Sequence, residues 1–315
     1  MTRIALLALF ALAAAPCAAQ YPDRPVTMLA GFPPGGLVDI VARVVADGMK
    51  PKFPKGLTVI NKPGAAGAVA VEELVRSKPD GYTIVLAPQS SLVIAPQRNM
   101  LSYKTPDDYD PVINTVAYYP LLVVNADAPW KTIQDFVADA KANPGKMRVG
   151  TPGEGSASQL NLEEFIFRTG TKMTPVPFQG WGQSSPALLG GHVEAVVAQP
   201  GEAKPQVDGK RMRALIVFQE KRHPAFPDTP TAKEAGWDIA NGVWYLIVVP
   251  RGTPAPVVKH IRDAAKAVVD SPEFAKTMDA RGVDVDNREG EALRADLWTN
   301  YKLNTEILRR IGLIK

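Results

Sequence analysis

The order of apolar and amphipathic segments along this 315-residue chain constrains its fold more than any other feature. Val26–Ala30, Leu57–Asn61 and Leu121–Asn125 are short apolar segments typical of strands. Leu37–Met49 and Thr132–Ala142 instead repeat apolar residues with a helical period. Because strands that alternate with helices are typical of parallel sheets flanked by helices, we predict an α/β protein with mainly parallel sheets.

The length and the plan of the chain both predict two lobes. At roughly 150 residues per domain, 315 residues suffice for two cores. Each half begins with a strand, a glycine-rich turn and a helix. The last strongly apolar segment, Trp244–Pro250, is followed by segments with a helical period. We therefore expect two α/β lobes with a cleft between them.

The first twenty residues are typical of an export signal. Arg3 precedes the apolar run 4–15, and Cys17-Ala18-Ala19 supplies the small residues that a signal peptidase reads. Cleavage before Gln20 would remove residues 1–19 as a signal peptide, together with the only cysteine. The mature protein would then be exported and would have no disulfides or cysteine chemistry. The alternatives are a lipid anchor on Cys17 and a buried N-terminal helix.

The sequence lacks the common local signatures of catalysis. His192, His223 and His260 do not have the spacing of a helical zinc pair. The chain contains no nucleophile elbow, Walker A loop or dinucleotide-binding glycine motif. Its 36 Lys and Arg against 32 Asp and Glu give a net charge of +4, spread along the chain. We therefore expect no enzymatic activity, no cofactor, no metal and no nucleic-acid partner.

The strongest local motif is the turn Gly31–Ile40, where two prolines and two glycines lie between a strand and a helix. Its glycines permit a tight backbone, and the free N–H groups of the first helical turn would point outwards. The helix dipole adds to them, so the turn can bind an anion without a charged side chain. Asp39 either stabilises the helix N-terminus or contacts a ligand, and the sequence favours neither role.

Further segments have positions that would face the same cleft. Gly150–Ser158 also joins a strand to a helix, and its serines can cap the helix or donate to a carboxylate. Ligands of parallel sheets lie beyond the carboxyl ends of the strands, where both turns lie. In the loop Phe178–Ser185, Trp181 is expected to be a lid or an exposed ring. The predicted ligand-binding residues are Phe32, Pro34, Gly35, Gly36, Val38, Asp39, Gln89, Ser90, Ser156, Ala157, Ser158, Gln179, Gly180, Trp181 and Gln199.

Short motifs spread over the mature chain carry a family resemblance. They include Tyr21–Val26, Pro34–Arg43, Asn61–Gly67, Pro79–Thr83 and Gly252–Pro256. In this order and spacing, the chain resembles the periplasmic solute receptors of tripartite tricarboxylate transporters, also called Bug receptors. The resemblance implies a two-lobed type II periplasmic binding protein fold. It also implies that ligand carboxylates are held by backbone amides and ordered water. On this fold we expect residues 21–117 plus 248–315 in lobe 1 and residues 118–247 in lobe 2.

The chain departs from the family pattern in three segments. Leu37-Val38 precede Asp39 where Gly or Thr is frequent, Gln159 replaces a frequent His, and Trp181 is unusual. We therefore expect a bulkier, less polar pocket that favours an aromatic or medium-chain carboxylate. Aromatic residues near the lobe crossings would line this pocket or form hinge core; they are Tyr118, Tyr119, Trp244 and Tyr245.

These observations predict an exported, monomeric binding protein rather than an enzyme. It would capture a small organic acid and deliver it to the membrane permease of a tripartite transporter, after its lobes close on the ligand. Two alternatives remain: a ligand-sensing receptor that signals to a partner, and an α/β enzyme acting on acyl or phosphorylated substrates.

Overall fold

The computed structural model describes residues 21–98 and 101–315. The predicted signal peptide, residues 1–19, and the alternative lipid anchor lie outside the described residues. Within the described ranges, no helix combines the length and the apolar character needed to cross a bilayer.

The elements follow one another much as the sequence predicts. In the described residues the strands are β1 (Val26–Ala30), β2 (Leu57–Asn61), β3 (Thr83–Pro88), β4 (Tyr109–Tyr118), β5 (Leu121–Asn125), β6 (Met147–Thr151), β7 (Met173–Pro177), β8 (Ala195–Ala198), β9 (Met212–Val217), β10 (Val243–Pro250) and β11 (Asp284–Val285). The α-helices are α1 (Leu37–Met49), α2 (Ala68–Arg76), α3 (Gln89–Val93), α4 (Ala95–Arg98), α5 (Ile133–Ala142), α6 (Ala157–Thr169), α7 (Trp181–Leu189), α8 (Pro200–Asp208), α9 (Ala255–Val269), α10 (Pro272–Asp279) and α11 (Gly290–Arg310). Single 3₁₀ turns lie at Lys50–Lys52 and Ala65–Gly67.

The strands form two sheets, one in each lobe. The first has the order β11-β4-β10-β3-β1-β2 and the second the order β7-β6-β8-β5-β9. β1 runs parallel to β2 and β3, and β6 runs parallel to β7 and β8. The pairs that involve β10 or β5 are antiparallel. The two-lobed fold is confirmed, but the sheets are mixed rather than mainly parallel, because a strand next to each crossing between the lobes enters its sheet in the opposite direction.

The two crossings decide which residues belong to which sheet. The chain leaves the first sheet between β4 and β5, and it returns between β9 and β10. The sequence had placed residues 243–247 in the second lobe. β10 pairs with β4 from Val243 to Pro250, so these residues belong to the first sheet. The reason is that a buried strand must pair its backbone groups along its whole length. We therefore propose lobe boundaries near residues 119 and 242.

Local sequence signals place the helix ends. In α5, the Asp135 amide donates to the Thr132 hydroxyl over 3.1 Å, and the Thr132 amide donates to the Asp135 carboxylate over 2.9 Å. Thr132 and Asp135 thus form a capping box, which satisfies two otherwise free donors. α6 is capped by Gly170, whose φ of 63° lies in the left-handed region that favours glycine.

Candidate functional site

A cavity of about 580 Å³, which we call the cleft, lies between the two lobes. The first lobe contributes residues 32–38 and Ser90, and the second contributes residues 156–158, 179–183, Gln199, Gly201 and Glu202. The structure thus brings together most of the residues predicted from the sequence: Phe32, Pro34, Gly35, Gly36, Val38, Ser90, Ser156, Ala157, Ser158, Gln179, Gly180, Trp181 and Gln199. Asp39 and Gln89 are not part of the cleft wall.

Helix N-termini from both lobes converge on the cleft. α1 begins at Leu37 in the first lobe, and α6 and α7 begin at Ala157 and Trp181 in the second. The backbone N–H groups of Leu37, Val38, Ala157 and Ser158 donate to no acceptor in the described part of the chain. Because unpaired N–H groups and helix dipoles attract negative charge, the cleft can hold an anion from two sides.

Asp39 holds the first turn in place. Its carboxylate accepts hydrogen bonds from the Gly35 amide at 3.0 Å, Arg43 Nε at 3.1 Å and Asn61 Nδ2 at 2.8 Å. Burial by itself would raise the pKa of Asp39, but these donors outweigh it and hold the pKa below its usual value. The prediction that Asp39 contacts the ligand is therefore corrected: its oxygens are occupied, and it fixes Gly35, whose φ of 87° shapes the turn.

The serines of the cleft have different surroundings. Ser156 caps α6, because its hydroxyl accepts the Gln159 amide at 3.2 Å. The hydroxyls of Ser90 and Ser158 have no hydrogen-bond partner in the described residues, although both residues are almost fully buried. Buried hydroxyls normally have a partner, so Ser90 and Ser158 are free to bind a ligand in the cleft.

The two predicted glutamines also have different roles. Gln89 is fully buried behind the cleft, and its Nε2 donates to the Gly242 carbonyl at 3.1 Å. Gln89 therefore stabilises the crossing that precedes β10 and does not face the ligand. The sequence could not show that the start of β10 packs against it. Gln199 lies in the cleft wall, and its Nε2 donates to the Tyr245 hydroxyl at 3.3 Å.

Of the aromatic residues near the crossings, Tyr118 and Tyr245 line the cleft. Their hydroxyls are 3.2 Å apart, and burial raises the pKa of both. Trp244 points elsewhere, since the Arg288 guanidinium lies 4.2 Å from its ring centroid. Trp181 lines the cleft as the first residue of α7, not within a loop as predicted.

Sequence reasoning missed two charged residues of the cleft wall, Glu202 and Arg281. Burial raises the pKa of Glu202 to about 8. The Arg281 guanidinium donates to the Thr277 carbonyl at 2.7 Å. Glu202 could have been found from its position just after the Gln199-Pro200-Gly201 turn, whereas no local signal marks Arg281.

Two of the three histidines take part in packing, whereas His192 is exposed. His260 Nε2 lies 2.9 Å from the Lys52 carbonyl, and its ring packs edge-on against Tyr21 and Phe53. His223 Nε2 lies 3.2 Å from the Gly282 carbonyl. No His, Cys, Asp and Glu cluster suited to a metal ion occurs in residues 21–98 and 101–315. Asp39, the acid nearest the first turn, has neither a His nor a Ser among its partners.

Comparisons with known proteins agree with this site. The family model for the tripartite tricarboxylate transporter family receptor matches residues 41–313. A Cupriavidus necator relative, described as the UPF0065 protein in the gbd 5′ region, is 34% identical over 320 residues, which is 99% of this chain and 95% of the relative.

Two solved structures show the same fold. The periplasmic binding protein BugD is 28% identical with a TM-score of 0.86, over 94% of this chain and 100% of that chain. MatC from Rhodopseudomonas palustris, solved with bound malate, is 26% identical with a TM-score of 0.82, over 94% of this chain and 100% of that chain. These neighbours are binding proteins rather than enzymes.

Proposed function

This chain belongs to the tripartite tricarboxylate transporter receptor family, and on that premise we propose that it binds a small organic acid in the cleft and delivers it to the membrane permease of such a transporter. The observation that carries the proposal is the convergence of unpaired N–H groups of α1 and α6 on one cavity. These donors come from different lobes, so a carboxylate between them would link the lobes. Closure would then depend on the ligand.

The size and the walls of the cleft narrow the class of acid. Small-molecule sites commonly enclose about 300–1,000 Å³, and the cleft has about 580 Å³. Its apolar wall includes Phe32, Leu37, Val38, Trp181 and Val243. These side chains favour a carboxylate with an aromatic ring or a medium-length apolar chain. Malate in MatC supports a small carboxylate as the ligand.

We further propose that the receptor acts in the periplasm as a monomer. Residues 1–19 would direct export and be removed, and the permease would recognise the ligand-bound, closed form. A neighbour at 31% identity, described as a periplasmic transporter, supports this location. N-terminal sequencing of the secreted protein would show Gln20 as the first residue if the signal is cleaved as predicted.

Ser158→Ala tests the carboxylate site. Calorimetric titration of the mature protein with a panel of aliphatic and aromatic acids should first identify an acid that binds. A hydrogen bond to a charged group contributes about 1.5–3 kcal/mol, so Ser158→Ala should lower the affinity for this acid by roughly 10- to 100-fold. Ser77→Ala is the matched control, because its hydroxyl bonds to the Glu73 carbonyl away from the cleft and should leave affinity unchanged.

Two results would contradict the proposal. If only sugars or inorganic cations raise the melting temperature, the ligand is not an organic acid. If the acid-loaded protein is retained by a sensor domain and not by the permease, it serves signalling rather than transport.

A further inference from the structure

We propose that His223 is a positioning residue of the receptor: its neutral ring ties the segment Arg281–Gly282 of the first lobe to the second lobe, and protonation of the ring breaks this tie and lowers the affinity for acids. This inference rests on the proposed function, because it concerns how the lobes close on that ligand. His223 lies behind the cleft wall and is not among the residues that line the cavity.

The segment Arg281–Gly282 lies at a tight contact between the lobes. A methyl group on Gly201 would lie 1.4 Å from the Arg281 carbonyl oxygen, and one on Gly282 would lie 3.0 Å from Pro200 Cβ. Gly201 and Arg281 also line the cleft, so this contact adjoins the ligand cavity. A group that holds the segment in place therefore also holds one wall of the cleft.

His223 bonds to this segment across the lobe boundary. Its Nε2 lies 3.2 Å from the Gly282 carbonyl oxygen of the first lobe. The other ring nitrogen, Nδ1, accepts the Ala225 amide of the second lobe at 3.1 Å. Because Nδ1 accepts, the neutral ring carries its proton on Nε2, and this N–H donates to Gly282. The neutral ring thus satisfies both partners.

A protonated ring cannot keep both bonds. It has an N–H on each nitrogen, so Nδ1 would meet the Ala225 N–H without a lone pair to accept it. His223 is only 5% exposed, so water cannot replace the lost partner while the ring stays in the contact. Protonation therefore favours a conformation in which the ring leaves Gly282 and reaches water.

The charged surroundings do not reverse this preference. Burial lowers the pKa of His223 and outweighs the Gly282 carbonyl, Asp284 and Asp279, which raise it. No ion pair joins the ring to the other charged residues of the described elements around it, which are Glu202, Arg281, Glu220, Lys221, Arg222 and Asp228.

The same chemistry couples protons to ligand binding. When the lobes separate at Gly282, the ring reaches water, and its pKa returns towards the ordinary value of about 6.5. The open form then binds a proton more readily than the closed form, so a fall in pH below this value favours the open form. Because the acid links the lobes of the closed form, its affinity falls as well.

The test measures affinity against pH in the mature protein. Calorimetric titration would use a binding acid from the panel above whose carboxyl groups stay ionised between pH 5.5 and pH 7.5. We expect the wild-type affinity to fall by at least about threefold from pH 7.5 to pH 5.5. His223→Gln keeps an N–H donor and an oxygen acceptor but does not titrate, so it should match wild type at pH 7.5 and lose this fall. His223→Ala lacks the donor and should bind more weakly at both pH values.

Two controls isolate His223. His192→Gln removes an exposed histidine of the second lobe and should keep the wild-type pH dependence. Burial raises the pKa of Glu202 to about 8, and its contribution is the same in wild type and in His223→Gln, so it cancels in their comparison.

A measurement on the wild-type ring does not depend on any variant. In proton NMR titrations, the pKa of His223 should be lower in the acid-bound protein than in the ligand-free protein. An equal fall in affinity for wild type and His223→Gln, or the same ring pKa in both forms, would overturn the role of His223 and leave the receptor function intact. If no acid of the panel binds at any pH, the proposed function itself fails, and this inference with it.

Discussion

At the scale of single residues, Asp39 shows how a buried charge can serve a binding site without touching the ligand. Its bonds to Gly35, Arg43 and Asn61 fix the turn that presents the α1 N-terminus. We expect Asp39→Asn to lower the free energy of unfolding by about 1–3 kcal/mol and to weaken acid binding through the displaced turn. Urea denaturation at pH 7 would measure the loss.

The role of Asp39 also predicts how the free energy of unfolding changes with pH. Because the pKa of Asp39 is lowered in the folded state, its contribution to stability is present above the ordinary aspartate pKa of about 3.9. This contribution disappears as pH falls through the folded value. The difference in free energy of unfolding between wild type and Asp39→Asn should therefore disappear at acid pH. Asp47→Asn is the control, since Asp47 is an exposed partner of Lys50 and should change stability by less than about 0.5 kcal/mol. An equal loss in both variants would contradict the role of Asp39.

The pKa of Glu202 is shifted in the opposite direction from that of Asp39, so its effect on stability has the opposite pH dependence. Burial raises the pKa of Glu202 to about 8. Between the ordinary glutamate pKa of about 4.3 and pH 8, folding therefore takes up a proton. Wild-type stability therefore falls with rising pH across this window, and Glu202→Gln should be more stable than wild type at pH 8 but not at pH 4. Melting temperatures of the ligand-free proteins at both pH values would test it. A variant less stable than wild type at pH 8 would show that Glu202 is a structural residue.

At the scale of elements, the start of α7 depends on one backbone conformation. Gly180 has φ 89° and ψ −175°, a region essentially limited to glycine. We expect Gly180→Ala to cost about 1–3 kcal/mol and to displace Trp181 from the cleft wall. Gly182→Ala is the control, because its φ is ordinary and an added methyl group meets nothing within 4 Å. Because Gly182 lies within a helix, Gly182→Ala should raise the free energy of unfolding by about 0.5–1 kcal/mol. Urea denaturation of both variants and of wild type would measure these changes.

At the scale of the whole molecule, the two lobes are in tight contact where α8 meets the segment after α10. A methyl group on Gly201 would lie 1.4 Å from the Arg281 carbonyl oxygen, so Gly201→Ala cannot keep this contact. We expect this variant to keep both lobe cores but to hold the lobes apart, with a larger radius of gyration and weaker acid binding. Small-angle scattering with and without ligand would measure the change.

A second glycine between the lobes provides the control for that experiment. A methyl group on Gly153 would lie 3.8 Å from the Ala66 methyl carbon of the other lobe, an ordinary contact. Gly153→Ala should therefore leave the radius of gyration unchanged. If Gly201→Ala scatters like wild type, the contact near Arg281 does not limit closure.

The sequence by itself determined the features that depend on neighbouring residues. Periodicity and turn chemistry identified α1, β2 and β5 with their observed bounds, and the glycine-rich turns at the cleft. These are local properties, because hydrogen bonds within a few residues and φ preferences decide them. The length of the chain and the repeated plan of its halves predicted two lobes, and the family resemblance added the type II periplasmic binding protein fold.

Only the tertiary structure decided features that depend on residues distant in sequence. β4 was not predicted, since Pro111, Asn114 and Thr115 interrupt its apolar pattern and their burial comes from neighbouring strands. The role of Asp39 depended on Asn61, 22 residues away, and the position of Glu202 depended on the approach of two lobes. Burial and partner supply are set by three-dimensional packing, so a carboxylate that anchors a turn and one that faces a ligand look alike in the sequence.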